Sequence, residues 1–135
     1  MVTFTGGCLC GSVTYTCEAE PGLIMNCHCA DCQKAMGAVF ATTMFVPEDR
    51  VTIRGYPRTY SHAADSGSSM SKIFCEQCGS QLFSKNTNRP GTLGIRAGSS
   101  DDKSVIVPTA NIYTASAVPT TSMDEQLPKH GGMPG

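Results

Sequence analysis

The sequence predicts a mainly β fold held in part by metal, on three observations: short β-branched and aromatic runs between turn residues, few large aromatic anchors, and cysteines gathered in three clusters. At 135 residues the chain has the length of one domain, with 14 glycines, 8 prolines and 8 cysteines but no tryptophan. A core short of large aromatic residues gains less from burial, so a second source of stability is expected. The expected organisation is a single domain over residues 1–135, in which 120–135, with its prolines and glycines, forms an irregular C-terminal tail.

Each element follows from local pattern. Ser12-Val13-Thr14-Tyr15-Thr16 is β-branched and aromatic and reads as a strand, as does Ala38 to Val46, closed by Pro47. Between them, Ala30 to Met36 is the one stretch that reads as a short helix. Val51-Thr52-Ile53-Arg54 alternates before the turn Gly55-Tyr56-Pro57, after which Thr59-Tyr60-Ser61 is expected to pair back. Met70 to Phe74, Leu82-Phe83-Ser84, Leu93-Gly94-Ile95, Val105-Ile106-Val107 and Asn111-Ile112-Tyr113 continue the series of short strands. Turn residues such as Asn86 to Gly91 separate them, and the Ser-rich stretch Ala63 to Ser69 is expected to be a mobile loop.

Charge and leader composition narrow the function. A formal net charge of -1 carries no basic footprint for nucleic acid or an anionic membrane, so neither is expected as a partner. The first residues show no charged leader or apolar signal-peptide stretch, and no later run approaches transmembrane length. The expected location is therefore cytoplasmic, where thiol buffers favour metal ligation over the alternative of disulfides.

The first cysteine cluster is Cys8-Leu9-Cys10 before Gly11, and the third is Cys75-Glu76-Gln77-Cys78 before Gly79. Structural zinc takes four N or S ligands, and two cysteines on a tight turn supply half a tetrahedron. Cys8, Cys10, Cys75 and Cys78 are thus expected to close one four-cysteine zinc site across distant parts of the chain. The middle cluster, Cys27-His28-Cys29-Ala30-Asp31-Cys32, has three thiols and no partner pair. A second zinc on Cys27, Cys29 and Cys32 either keeps an open position, the mark of a catalytic site, or takes His28, His62 or Asp31 as fourth ligand and is a second structural staple. In an extended segment Cys27 and Cys29 share one face and His28 points to the other, which favours the open site. Three anionic sulfurs more than cancel the charge of the ion and suit it to a soft ligand, so its natural use is to hold a substrate thiol as thiolate for attack on a carbonyl, or for the reverse carbon-sulfur cleavage.

At these residues the chain resembles a known family. Gly7-Cys8-Leu9-Cys10-Gly11 with Val13 and Tyr15, then Cys27-His28-Cys29 with Cys32-Gln33-Lys34, then Phe74-Cys75 with Cys78-Gly79-Ser80, is similar to the glutathione-dependent formaldehyde-activating enzyme family, also called the centromere protein V/GFA domain. A weaker echo runs through Ile95-Arg96-Ala97-Gly98-Ser99, Asp101-Asp102 and Leu127-Pro128. The resemblance implies an Mss4-like, mainly β fold with structural zinc on Cys8, Cys10, Cys75 and Cys78 and catalytic zinc on Cys27, Cys29 and Cys32. It implies carbon-sulfur lyase activity of the kind that forms S-hydroxymethylglutathione from formaldehyde and glutathione, with a small thiol or thiol adduct such as glutathione as partner. Two departures bear on the substrate pocket: Asn111 precedes Ile112-Tyr113 where the family commonly has histidine, and tryptophan is absent.

Other residues carry weaker signals. Cys17 lacks a partner in the pattern and reads as a packed thiol. Arg96 either pairs with a substrate carboxylate or is solvated at a strand edge. His62 and His130 fall in expected loops, as proton carriers or idle surface groups, and Asp101-Asp102 reads as turn chemistry. Asp31 and Lys34 adjoin the open zinc or solvate a helix face. The reading is therefore a zinc-dependent carbon-sulfur lyase with two zinc ions. Its alternatives are a non-catalytic zinc module that binds a partner protein, and a zinc buffer or redox sensor with labile thiolates.

Overall fold

A computed structural model describes residues 3–64 and 66–133. It is mainly β, as the composition predicts. Strands β1 (Phe4–Gly7), β2 (Thr14–Cys17) and β5 (Val51–Arg54) form a small antiparallel sheet in the order β1-β2-β5. The larger sheet has seven strands in the order β10-β3-β4-β9-β8-β7-β6: β3 (Ile24–Cys27), β4 (Ala41–Pro47), β6 (Arg58–Ala63), β7 (Ser69–Phe74), β8 (Gln81–Asn86), β9 (Thr92–Arg96) and β10 (Ala110–Ile112). The helix α1 (Ala30–Met36) has the predicted bounds. It ends where Gly37 takes the left-handed conformation, φ 61°, and donates its N–H to the Gln33 carbonyl.

Strand alternation gives the large sheet two unlike faces. Met44, Ile95, Phe83 and Ile73 are register partners across four strands, and they join Phe4, Val13, Tyr15 and Cys17 of the small sheet's side in one core. Tyr15 meets Phe83 edge-on at 5.2 Å, so a single tyrosine supplies much of the aromatic contact between the two sheets. On the other face the residues one position out of phase line up: Met25, Thr43, Arg96, Gly94, Ser84, Lys72. That face builds the pocket described below.

Several expectations need correction. Thr59-Tyr60-Ser61 does not pair back on β5; β6 pairs with β7, Tyr60 opposite Lys72, while β5 pairs with β2. The chain changes sheets at Gly55, whose φ of 98° and crowding by the Ser12 carbonyl leave no space for a side chain. Val105-Ile106-Val107 is not a strand, because Asp102 caps a 3-10 turn over Lys103–Val105 by accepting hydrogen bonds from the Ser104 backbone N–H and hydroxyl. The loop expected over Ala63 to Ser69 is, by contrast, in place as the connection of the β6-β7 hairpin, closed by Ala64 N–H to Ser68 O at 2.8 Å; residue 65 lies outside the described residues. Strands β1 and β3 carry no sequence expectation and extend the pattern.

Asn111 N–H donates to Pro128 O and His130 N–H to Asn111 O, so residues 128–132 run along β10. Among the described residues no helix is long and apolar enough to cross a membrane.

Candidate metal centres

Two turns build the first centre. Cys8 and Cys10 lie between β1 and β2, and Cys75 and Cys78 between β7 and β8. Gly11 and Gly79, at φ 82° and 77°, allow each chain to reverse tightly enough to aim two sulfurs at one point. Leu9 N–H donates to Ser80 Oγ at 3.1 Å and pins one turn on the other. The four sulfurs lie within 4.8 Å of one another, with Cys8 to Cys10 at 3.7 Å and Cys10 to Cys75 at 3.8 Å. A tetrahedron with zinc-sulfur bonds of about 2.3 Å has edges of about 3.8 Å, the spacing of these two pairs. The local electrostatics favour the thiolate at Cys8 and Cys78, whereas at Cys10 the hydrogen bonds from Ser12 are outweighed by burial and the Cys8 and Cys78 thiols, which push the thiol up. Burial works against ionisation of Cys8, but hydrogen bonds from the Val13 backbone, Ser12 and the neighbouring thiols bring it down to about 7. Hydrogen bonds from the Ser80 hydroxyl and backbone bring Cys78 down to about 5.

The second centre is more local. Cys27 ends β3, Cys29 caps α1, and Cys32 lies in its first turn, where its N–H donates to Cys29 Sγ at 3.3 Å. Gln33 Nε2 donates to His28 O at 2.8 Å and to Ser116 O at 3.0 Å, holding helix, cysteine loop and a C-terminal turn together. The three sulfurs lie within 4.8 Å of one another. Crowded thiols cannot all ionise without a cation between them. Hydrogen bonds to Cys29 and Cys32, then burial, push the Cys27 thiol up; Cys32, accepting from Cys27 and Cys29 and facing the charges of Arg96 and Lys72, falls to about 2. A divalent ion resolves that conflict, and the sulfur-only donor set is consistent with zinc.

None of the three candidate fourth ligands joins this group among the described residues. His28 is fully buried on the opposite side, its Nε2 2.9 Å from Asn111 Oδ1 and its ring 5.0 Å from Phe40. Asn111, one of the two departures from the family pattern, is thus what holds this histidine. His62 Nδ1 stands 4.0 Å from Asp31 Oδ2, and both line the pocket beside the sulfurs. His130 serves the tail through its backbone, and Cys17 is a buried thiol whose Sγ donates to the Ala19 carbonyl at 3.6 Å.

The three sulfurs open into a pocket of about 350 Å³ on the free face of the large sheet, within the range of small-ligand sites. Cys27, Thr43, Gly94, Ser84 and Lys72, from five adjacent strands, share in its lining. Arg96 is not solvated at a strand edge: β9 lies between β4 and β8, and the side chain is 3% exposed within this pocket. Lys72, 4% exposed, is a pocket residue that sequence reasoning missed. Its signal was a lysine in phase with Met70 along a strand, which places it on the same face.

Comparison with protein families decides the relationship: the model of the glutathione-dependent formaldehyde-activating enzyme matches residues 3–116. The chain belongs to that family. No curated protein matches the chain. Among solved structures it is similar to the crystal structure of a Rhodobacter sphaeroides protein, with a TM-score of 0.54 and 20% identity over 70% of this chain and 85% of that one. At that identity the likeness speaks for the fold alone. Membership in the glutathione-dependent formaldehyde-activating family supports a glutathione-related function, and the two sulfur clusters are the positions in this member that could hold its metal.

Proposed function

We propose that the chain is a zinc-dependent carbon-sulfur lyase that joins a thiol such as glutathione to a carbonyl compound and splits the adduct in reverse. Zinc on Cys8, Cys10, Cys75 and Cys78 is structural in this reading, and zinc on Cys27, Cys29 and Cys32 is catalytic. The observation that carries it is the unequal pair of sulfur groups, four closed between two turns and three facing a pocket without a fourth protein ligand among the described residues. Zinc at the open group supplies a soft Lewis acid that keeps a substrate thiol deprotonated near neutral pH.

The chain's own residues do the rest. Cys27, Cys29 and Cys32 set the direction from which a thiol enters. The Lys72 ammonium, among the cations acting on Cys32, balances the negative charge that collects on the carbonyl oxygen as the carbon-sulfur bond forms. His62, half-screened beside Asp31 at the pocket wall, is placed to pass a proton between that oxygen and solvent. The reading includes one domain spanning the chain and a cytosolic setting, where glutathione is plentiful and thiols stay reduced.

Exchange spectroscopy by NMR tests the proposal. With glutathione and formaldehyde at equilibrium with S-hydroxymethylglutathione, zinc-loaded protein is expected to accelerate the exchange well above the uncatalysed rate. Protein with full zinc content that leaves both this exchange and that with other aldehydes unaltered refutes the lyase and favours a binding module.

A further inference from the structure

Arg96 is placed for a task that formaldehyde chemistry does not require. Its side chain is almost wholly buried, and Nη1 donates to Thr43 Oγ1 at 2.9 Å, while Nε and Nη2 have no hydrogen-bond partner among the described residues. In a guanidinium the N–H bonds of Nε and Nη2 lie side by side on one edge, a fork matched to the two oxygens of a carboxylate. Thr43 is the cross-strand partner of Arg96 and fixes the plane of that fork by taking the remaining nitrogen. Two residues along the same face, Gly94 leaves the pocket floor without a side chain; a Cβ there would come 2.6 Å from Ser84 Oγ and 2.8 Å from Thr43 Cγ2. Among the described lining residues the only carboxylate is that of Asp31, set against the cations Lys72, Lys85, Arg89 and Arg96.

We propose that the open edge of Arg96 binds a carboxylate carried on the very carbon that the thiol attacks, so that the carbonyl substrate is a 2-oxo acid of the glyoxylate type rather than formaldehyde. This rests on the lyase reading and names its substrate. A buried charged donor without an acceptor is costly, and the adduct of formaldehyde, with only hydrogens and a hydroxyl on the reacting carbon, offers no anion there; its carboxylates lie at the far ends of the peptide. Arg96 and Cys32 line the same pocket, so a carboxylate carried close to the substrate sulfur is the one placed to meet the guanidinium. The peptide body of glutathione has the remainder of the face, toward Asn86, Asn88 and Arg89. In the reaction the thiol sulfur bonds to the carbonyl carbon, the C=O π pair moves onto oxygen, and the proton of the thiol ends there. The product is a 2-hydroxy-2-thio acid; in reverse the carbon-sulfur bond breaks and the proton returns to sulfur. No oxidant or reductant takes part.

The test is the binding of two stable thioethers to the zinc-loaded protein by calorimetry: S-carboxymethylglutathione, with a carboxylate on the carbon attached to sulfur, and S-methylglutathione, without one. The carboxymethyl probe is expected to bind about tenfold tighter or better, the scale of a hydrogen-bonded buried charge pair. In Arg96→Gln the preference disappears, and in Arg96→Lys, which keeps the charge but not the fork, most of it disappears; zinc content and thermal melting establish that each variant is folded. The wild-type comparison needs no variant, and equal binding of the two probes overturns the proposal. So does an Arg96→Gln loss that is the same for both, which places the guanidinium on the peptide's own carboxylates. The exchange measurement judges the lyase separately: acceleration with formaldehyde alongside equal probe binding refutes only the carboxylate site, whereas no acceleration with either formaldehyde or glyoxylate refutes the reaction on which it rests.

Discussion

Replacing Cys75 with alanine is expected to abolish cooperative folding, while the same change at the buried Cys17 leaves a folded, destabilised protein. Cys75 is 1% exposed at the end of β7 and belongs both to the core and to the four-sulfur group. That group joins the β1-β2 turn to the β7-β8 turn and so ties the small sheet to the large one. Structural zinc contributes on the order of 10 kcal/mol in small modules. Whole domains are stable by only about 5–15 kcal/mol, so losing one ligand removes an amount comparable to the total. Cys17 is fully buried yet lies outside both sulfur groups, and its loss costs only a small cavity, on the order of 1–2 kcal/mol. Circular dichroism melts of both variants check this, and a Cys75→Ala transition close to that of the wild type would show that the first centre is dispensable.

The second large effect has the opposite profile. Cys32→Ser is expected to lower exchange activity by at least about a hundredfold, since disturbing even the outer partners of metal ligands reaches that scale. The fold should survive, with a melting curve near the wild type. The three-sulfur group holds together neighbouring pieces only, the end of β3 and the start of α1, and Gln33 already binds that helix to the His28 carbonyl. Zinc content should fall by about one ion per chain, the stoichiometry of one lost site. A Cys32→Ser protein that keeps its activity would remove the open centre from the chemistry; one that fails to fold would make it a second staple.

Much of this was legible before the structure. Spacing alone sorts the cysteines, because two thiols beside a glycine on a tight turn make half a tetrahedron wherever they occur. The helix was legible from Ala30 to Met36, and the structure shows Gly37 capping its end. Strand partners were not. Whether Val51 to Arg54 joins Thr59 to Ser61 or another strand depends on Gly55 and its contact with Ser12, and nothing in the alternation of either segment records that contact. Strand β1 was hidden by Gly6 and Gly7, weak strand formers that are tolerated because Tyr15 and Ser99 crowd the space a side chain at Gly6 would fill. The burial of Arg96 and Lys72 was equally out of reach. An arginine at the end of a strand is exposed or enclosed according to its cross-strand neighbours, and here they are Thr43 and the strands on either side. That His28 faces away from Cys27 and Cys29 was legible from alternation, but its partner there, Asn111, lies 83 positions away.

The central claim is that seven of the eight cysteines grip two metal ions unequally. X-ray absorption at the zinc edge, on protein purified without oxygen and analysed for metal, tests it most directly. The expected result is about two zinc ions per chain with an average of about 3.5 sulfurs each, one ion fully enclosed by sulfur and one with a lighter fourth neighbour. Metal-free protein, or an average of four protein ligands at both ions including nitrogen from histidine, would contradict it.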